Sequence, residues 1–225
     1  ETPVTGGNVS LYNESIDDEG NKKPIQPTPV IGMVGVLDNV KQAVSSGWKN
    51  INDEIWIIGS RDSGLTLGAT SYLEYFHGQI TGRPPSLNLI DEKLCQLFIR
   101  NGILNNLIIS SHDVSDGGLA IALAESCILS DKGASINLIA NERIDSLLFS
   151  EGGSRIIFSI SHMKKNEWLK FVSEESKNFT DSIYVTKIGT VLQDTLKIKI
   201  SENIICDLKI SSLADKFNNG LSNNF

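Results

Sequence analysis

The sequence predicts an α+β fold, and three observations carry the prediction. Short runs that are apolar on both faces, such as Glu54-Ile55-Trp56-Ile57-Ile58-Gly59-Ser60, suit central strands packed from two sides. Between them lie segments with helical apolar spacing, among them one with Ile90, Leu94, Leu97 and Phe98 on a single face. The chain then closes on three strand-like runs, Tyr184 to Val191, Leu196 to Ile200 and Ile204 to Ile210.

Composition narrows the class. The chain of 225 residues, 40% hydrophobic and 21% charged, is ordinary for a soluble globular protein, with enough chain for one well-packed domain or one and a half. Twenty Lys and Arg against 27 Asp and Glu leave a net charge of −7, which argues against a nucleic-acid groove or an anionic membrane as main partner and leaves a local phosphate site open. Cys95, Cys127 and Cys206 lie far apart without CxxC spacing, so buried free thiols are expected rather than a zinc site or a disulfide framework. A cytoplasmic location follows as an expectation, since neither a membrane-length apolar run nor a basic-then-apolar leader is found. The chain begins without Met and inside a strand-like motif, so a piece of a longer polypeptide is expected.

The opening stretch, Glu1 to Glu14, alternates Val9 and Leu11 with Asn8, Ser10 and Tyr12, the period of a half-buried strand. Gly6 and Gly7 stand where it starts, a place for a bulge or a close approach of backbone to ligand. Asn8 and Ser10, two positions apart, share one face. Their neutral oxygens suit a hard cation or a phosphate, and bare glycine N–H groups suit anionic oxygens. The same residues also fit a plain turn with side chains in solvent.

Asp17 to Lys23, charged and holding a Gly-Asn pair, reads as a hairpin loop. After Pro27 and Pro29, the run Val30-Ile31-Gly32-Met33-Val34-Gly35-Val36 predicts a central strand. Asp38 is placed to cap a short helix from Asn39 to Val44, which Ser45-Ser46-Gly47 ends. A domain boundary is expected there, dividing the chain into 1–48 and 49–225.

Beyond Glu54 to Ser60, helices are expected from Gly68 to Phe76, ending at Gly78, and from Asn88 or Asp91 to Gly102. His77 falls in the last turn of the first, where a cation suits the helix dipole better than it suggests catalysis. Leu107 to Ile109 is a strand leading into His112-Asp113-Val114-Ser115-Asp116-Gly117-Gly118, and Leu119 to Ile128 is a helix apolar nearly all round. Strand, glycine pair and helix N-terminus in that order form a pattern for an anion site. It is equally one in which Ser115 or Asp116 caps the helix and the glycines allow close packing. A strand from Ala134 to Ile139, a short helix from Ile144 to Phe149, a strand from Arg155 to Ser161 and an amphipathic helix from Asn166 to Ser173 follow. Glu151-Gly152-Gly153 lies between two of these, as a ligand contact or as a turn. The Asn-rich segment from Asn218 to Phe225 is expected to fray.

Four ordered motifs add a more specific signal. Thr2-Pro3-Val4-Thr5-Gly6-Gly7-Asn8-Val9-Ser10-Leu11-Tyr12-Asn13-Glu14-Ser15, Pro27 to Val36, Ser111 to Leu119 and Leu148 to Arg155 closely resemble the second half of phosphoribosylformylglycinamidine synthase, in the same order and at similar separations. The resemblance implies the end of a strand-rich N-terminal-type domain followed by an α+β C-terminal-type domain of the aminoimidazole ribonucleotide synthetase-like superfamily. It implies ATP and Mg²⁺ as cofactors and formylglycinamide ribonucleotide as substrate. A separate glutaminase subunit, a small accessory subunit and the preceding half of the same polypeptide are the implied partners. By the same resemblance Gly7 contacts ATP, Asn8 the metal and Ser10 the substrate, with Gly6 where the family has serine. No catalytic residue is expected in this chain, because the family's proton-transferring histidine lies in the first half; His112 does not replace it. Glu151-Gly152-Gly153 corresponds to a substrate-binding Glu-Ser-Gln of the first half and lacks two of its polar side chains. Two alternatives stand beside this reading: a non-catalytic half that at most holds a nucleotide, and another enzyme of the superfamily, such as aminoimidazole ribonucleotide synthetase, a selenophosphate synthetase or thiamine-monophosphate kinase.

Overall fold

The computed structural model describes residues 2–9, 12–25, 28–61, 65–140 and 143–220. The chain divides into two compact units, Glu1–Asp38 and Asn39–Phe225.

In the first unit, β1 (Glu14–Ile16) pairs antiparallel with β2 (Lys22–Pro24), with Ser15 opposite Lys23. The acidic run between them makes the expected hairpin turn. Asp17 Oδ1 accepts from the N–H groups of Glu19 and Asn21 at 3.1 and 2.8 Å. Those hydrogen bonds and the one to the Lys23 side chain outweigh what burial does, and hold the Asp17 carboxyl below its ordinary value. The strand expected at the opening is absent from its described part, since residues 2–9 are exposed and without regular structure. Leu11, the second apolar position of that alternation, lies outside the described residues.

The run Val30 to Val36 corrects a second expectation. It is not a central strand: Val30 is 92% and Val34 97% exposed, and no ladder forms along it among the described residues. Apolar content makes a strand only when another strand satisfies its N–H and C=O groups and a layer covers its side chains. The first unit supplies neither to this run.

The second unit opens on a short 3₁₀ turn, Val40–Gln42, capped by Asn39 rather than Asp38; the Asn39 side chain accepts from the Lys41 N–H at 3.0 Å. The rest is a seven-stranded mixed sheet with helices on both faces. Its strands are β3 (Glu54–Ser60), β4 (Ile108–Asp113), β5 (Gly133–Leu138), β6 (Arg155–Ile160), β7 (Ile183–Leu192), β8 (Thr195–Ile200) and β9 (Asn203–Lys209), in the order β4-β6-β3-β7-β5-β8-β9. β5 and β8 run parallel, and the other neighbours antiparallel. The helices are α1 (Ser71–His77), α2 (Leu89–Leu104), α3 (Gly118–Ser130), α4 (Ile144–Phe149), α5 (Lys165–Glu175) and α6 (Ile210–Asn219).

All seven residues of β3 are buried, as its apolar run predicts. The two-residue period sends Ile55 and Ile57 into a core with Leu119, Leu123 and Ile136, and Trp56 and Ile58 into a second core with Phe98, Phe158 and Trp168. Helix α3, with α4 and α6 against it, covers the first face; α2 and α5 cover the second. The near-uniform apolarity of α3 has this cause: sheet lies on one side of it and helices on another. Cys95 and Cys127 are buried and unbridged. Burial pushes both thiols up to about 12, so they are protonated packing groups.

Helix α2 is tied to the sheet at its first turn. Asn88 caps it, accepting from Ile90 and Asp91 N–H groups at 3.0 and 3.3 Å. Asp91 is fully buried and accepts from the hydroxyls of Ser60 (2.5 Å), Ser182 (2.6 Å) and Thr180 (2.7 Å). Burial raises this carboxyl and the hydroxyls of Ser182, Ser60 and Thr180 more than offset it, so its pKa lies below the ordinary aspartate value of 3.8. A folded-state pKa below the unfolded one adds stability above the unfolded pKa, which is lost as pH falls through the folded value. Asp91→Asn is therefore expected to destabilise by roughly 3 kcal/mol at neutral pH, where three donors lose their charged acceptor. That deficit shrinks as pH falls below 3.8, which urea unfolding of both chains at pH 7 and pH 3 measures. An equal deficit at both values would show that the carboxylate is not what the hydroxyls hold.

Candidate functional site

The motifs singled out in the second unit converge at one end of the sheet. Strand β4 delivers His112 and Asp113, and the chain turns through Ser115 and Asp116 into the glycine pair that starts α3. Gly117 stands at the N-cap in the left-handed conformation with no side-chain cap bond, so neither Ser115 nor Asp116 caps the helix. Gly118, also left-handed at φ +72°, lies against Phe149 and Ser150; a Cβ there would come within 2.7 Å of their main-chain atoms. Close packing is thus what the second glycine allows.

The anion position at this helix start is taken from within the protein. Glu151 Oε1 accepts from the Gly117 N–H at 2.7 Å and from the Ser71 N–H at the start of α1 at 2.9 Å. Two motifs that sequence reading treats separately, the glycine pair and Glu151-Gly152-Gly153, are therefore partners. The carboxylate satisfies two N–H groups that have no intrahelical acceptor. Next to it, Ser154 Oγ donates to Glu92 Oε2 at 2.7 Å and ties the loop to α2. His112 is held between the Asp113 carbonyl (Nδ1, 2.7 Å) and Glu125 Oε2 (Nε2, 3.1 Å), linking β4 to α3. His77 occupies the last turn of α1, ahead of Gly78, as its helix-end reading expects.

The residues expected to bind ligand lie in the first unit. Gly7 and Asn8 are exposed, and a Cβ built on Gly7 meets no atom within 4 Å, so its main chain is open to approach. Ser10 lies outside the described residues. Among the described residues no group of three or more His, Cys, Asp or Glu could hold a metal ion. Asn8 offers one neutral amide oxygen of the kind Mg²⁺ accepts, with further ligands left to water and phosphate oxygens.

Arg155 is a residue to which sequence reading assigns only a strand start. It is buried at the head of β6, with one Nη donating to the Ser150 carbonyl and to Ser150 Oγ. Its signal in the sequence is a lone arginine opening the otherwise apolar strand Arg155-Ile156-Ile157-Phe158.

Comparison with known proteins places this geometry. Residues 50–196 match the family model described as AIR synthase related protein, C-terminal domain. The chain belongs to this family. Along its whole length the AIR synthase related chain is 63% identical to phosphoribosylformylglycinamidine synthase subunit PurL of Prochlorococcus marinus strain AS9601, and it spans 29% of that subunit. The corresponding subunit of strain MIT 9313 is 41% identical over 96% of the chain, which spans 28% of it. Among solved structures, T. maritima PurL complexed with FGAR superposes with a TM-score of 0.61 over 78% of the chain and 30% of PurL, at 16% identity. The ATP complex of the same PurL gives 0.58 over 78% and 28%, also at 16%. These superpositions establish the α+β fold.

Proposed function

We propose that this chain forms part of an ATP-dependent carbon-nitrogen ligase, a phosphoribosylformylglycinamidine synthase of de novo purine biosynthesis. The reaction converts formylglycinamide ribonucleotide, ATP and glutamine-derived ammonia to formylglycinamidine ribonucleotide, ADP and phosphate. ATP phosphorylates the amide oxygen, and ammonia then displaces phosphate at the same carbon. The observation that carries this reading is the end-to-end identity of 63% with a PurL subunit. ATP as cosubstrate is supported by the nucleotide complexes of T. maritima PurL, and a multi-subunit assembly by the PurLQS structure.

In this proposal Gly7 touches ATP, Asn8 binds Mg²⁺ and Ser10 touches the substrate. The open main chain at Gly7 supports the first, since a phosphate can reach its N–H without meeting a side chain. Residues 1–48 belong to an N-terminal-type domain and 49–225 to the C-terminal-type domain. A glutaminase subunit and a small accessory subunit complete the enzyme in the cytoplasm, and this chain alone has no turnover. Asn8→Ala in the intact enzyme should raise the Mg²⁺ requirement and Ser10→Ala should raise KM for the ribonucleotide, each by roughly 1–3 kcal/mol. Wild-type kinetics in both variants, or turnover by the isolated chain, would overturn the assignment.

One observation favours a second reading, a half that is structural at its own pseudo-equivalent site. The Glu151 carboxylate is already committed to two main-chain N–H groups, and glycines follow it where the first-half motif has Ser and Gln. Glu151→Gln in the intact enzyme discriminates: a structural role lowers thermal stability and leaves KM for the ribonucleotide unchanged, whereas a substrate contact raises KM.

A further inference from the structure

A cavity of about 560 Å³ lies within the second unit beside the head of β6. Its polar wall is made by Arg61, Arg155 and Lys187 with Ser60, Asn137, Tyr184 and Thr186, and the remainder is aliphatic. Gly59 of β3 makes room for two of its wall residues: a Cβ there would lie 2.7 Å from the Tyr184 hydroxyl oxygen and 3.1 Å from Arg155 Cγ.

The charge inside it is uncompensated. Arg155 is 4% exposed, and although one Nη serves Ser150, its buried Nε has no hydrogen-bond partner among the described residues. Among the described residues no carboxylate pairs with that guanidinium; burial lowers its pKa, opposed by the neighbouring Tyr184 phenol. A guanidinium keeps its proton regardless, so a buried cation stands with an unused donor, an arrangement that costs stability unless an anion shares the site. Lys187 adds no unpaired charge to the wall, because its ammonium is paired with Glu54 at 2.8 Å. Arg61 stands at the exposed rim, its guanidinium 5.5 Å from the Tyr184 ring centre and one Nη donating to the Asp181 carbonyl at 3.2 Å. No Asp or Glu lines the cavity among the described residues.

We propose that this cavity binds an oxyanion, a phosphate monoester or a carboxylate carried on a compact, partly apolar ligand, with the Arg155 guanidinium as the buried cation and Arg61 as the rim cation. The size is that of a small-molecule site, and the planar fork of arginine suits both anions. The site is independent of Gly7, Asn8 and Ser10 and does not rest on the ligase reading.

The test uses the full chain, ¹⁵N-labelled, with the arginine Nε–H resonances followed during titration with inorganic phosphate and, separately, with acetate. The expected result is a saturable shift of the Arg155 resonance, weakened at least about tenfold in Arg155→Gln by calorimetry and about threefold in Arg61→Gln, as for loss of one charge-assisted hydrogen bond. Tighter phosphate binding assigns a phosphate monoester and tighter acetate binding a carboxylate. No saturable shift with either anion overturns the proposal, and so does wild-type affinity in folded Arg155→Gln. Should Arg155→Gln fail to fold, Arg61→Gln decides, and unchanged affinity there overturns it.

Discussion

Trp168→Ala is expected to cost about 3–5 kcal/mol of unfolding free energy, the range for emptying a buried aromatic position. Trp168 has no exposed surface, and it is the hub of the core on the α2 and α5 face. Its ring meets Trp56 edge-on at 5.5 Å, Phe158 at 5.3 Å and Phe98 at 5.7 Å, and stacks on Phe171 at 5.5 Å. Removing it leaves four rings facing a void that sheet and helix cannot both close. The comparison that isolates packing is Trp168→Phe. The indole Nε1 is buried without an acceptor among the described residues, so losing that N–H relieves a desolvation cost of about 1–3 kcal/mol, offsetting part of the lost volume. Trp168→Phe should therefore cost less than about 1.5 kcal/mol. Urea unfolding followed by the fluorescence of Trp48 and Trp56 measures both. Equal losses in the two variants would mean that the indole N–H, not ring volume, is what the core requires.

Sequence made that core legible because its signals are local. The buried strand Glu54 to Ser60 and the amphipathic helix expected at Asn166 to Ser173, which runs from Lys165 to Glu175, stand where the apolar period places them. What it could not supply is the partner of a segment. Val30 to Val36 is as apolar as β3 yet lies exposed, because pairing is a property of two segments and composition belongs to one. The last helix was hidden for a different reason. Ile210, Leu213 and Phe217 carry a helical spacing, but Ile210 also completes the apolar run of β9, and no side-chain cap separates strand from helix. The boundary is set instead by the Ile210 N–H donating to the Asp194 carbonyl at 2.9 Å, a contact 16 residues away in the chain.

The site was legible in its parts and not in their joining. Both the glycine pair and Glu151 stand out in the sequence as ligand-binding candidates; across 34 residues, they recognise each other. The positions resembling a nucleotide and metal motif, Gly7 and Asn8, are exposed on the first unit, and their chemistry remains with the ligase proposal. Arg155 carries little signal in the sequence because a single basic residue at a strand start is ordinary; burial with an Nε–H that has no partner among the described residues distinguishes it.

Gly118→Ala should be the most damaging single-methyl addition around that junction. Its φ of +72° is one an L-residue adopts at a cost of about 1–2 kcal/mol. The added Cβ would also sit 2.7 Å from main-chain atoms of Phe149 and Ser150, which cannot rotate aside as a side chain can, adding roughly 1–3 kcal/mol of overpacking. Gly117→Ala is the control. Gly117 has a similar φ of +77°, but its Cβ would meet only Ile121: the Cγ atoms can swing away with a change of rotamer, and Ile121 Cβ, held by the helix at 2.9 Å, leaves one tight fixed contact instead of three. The first substitution should lower thermal stability clearly more than the second, although both remove a left-handed glycine. It should also loosen Glu151, because the segment displaced by the new methyl group is the one that carries this carboxylate to α3. Amide exchange reads that directly: Gly118→Ala should speed exchange at the Gly117 and Ser71 N–H groups together, since one oxygen accepts from both. Faster exchange at Gly117 alone would mean that the two helix starts are not held by a shared acceptor, and that the glycine pair and Glu151 belong to separate local structures.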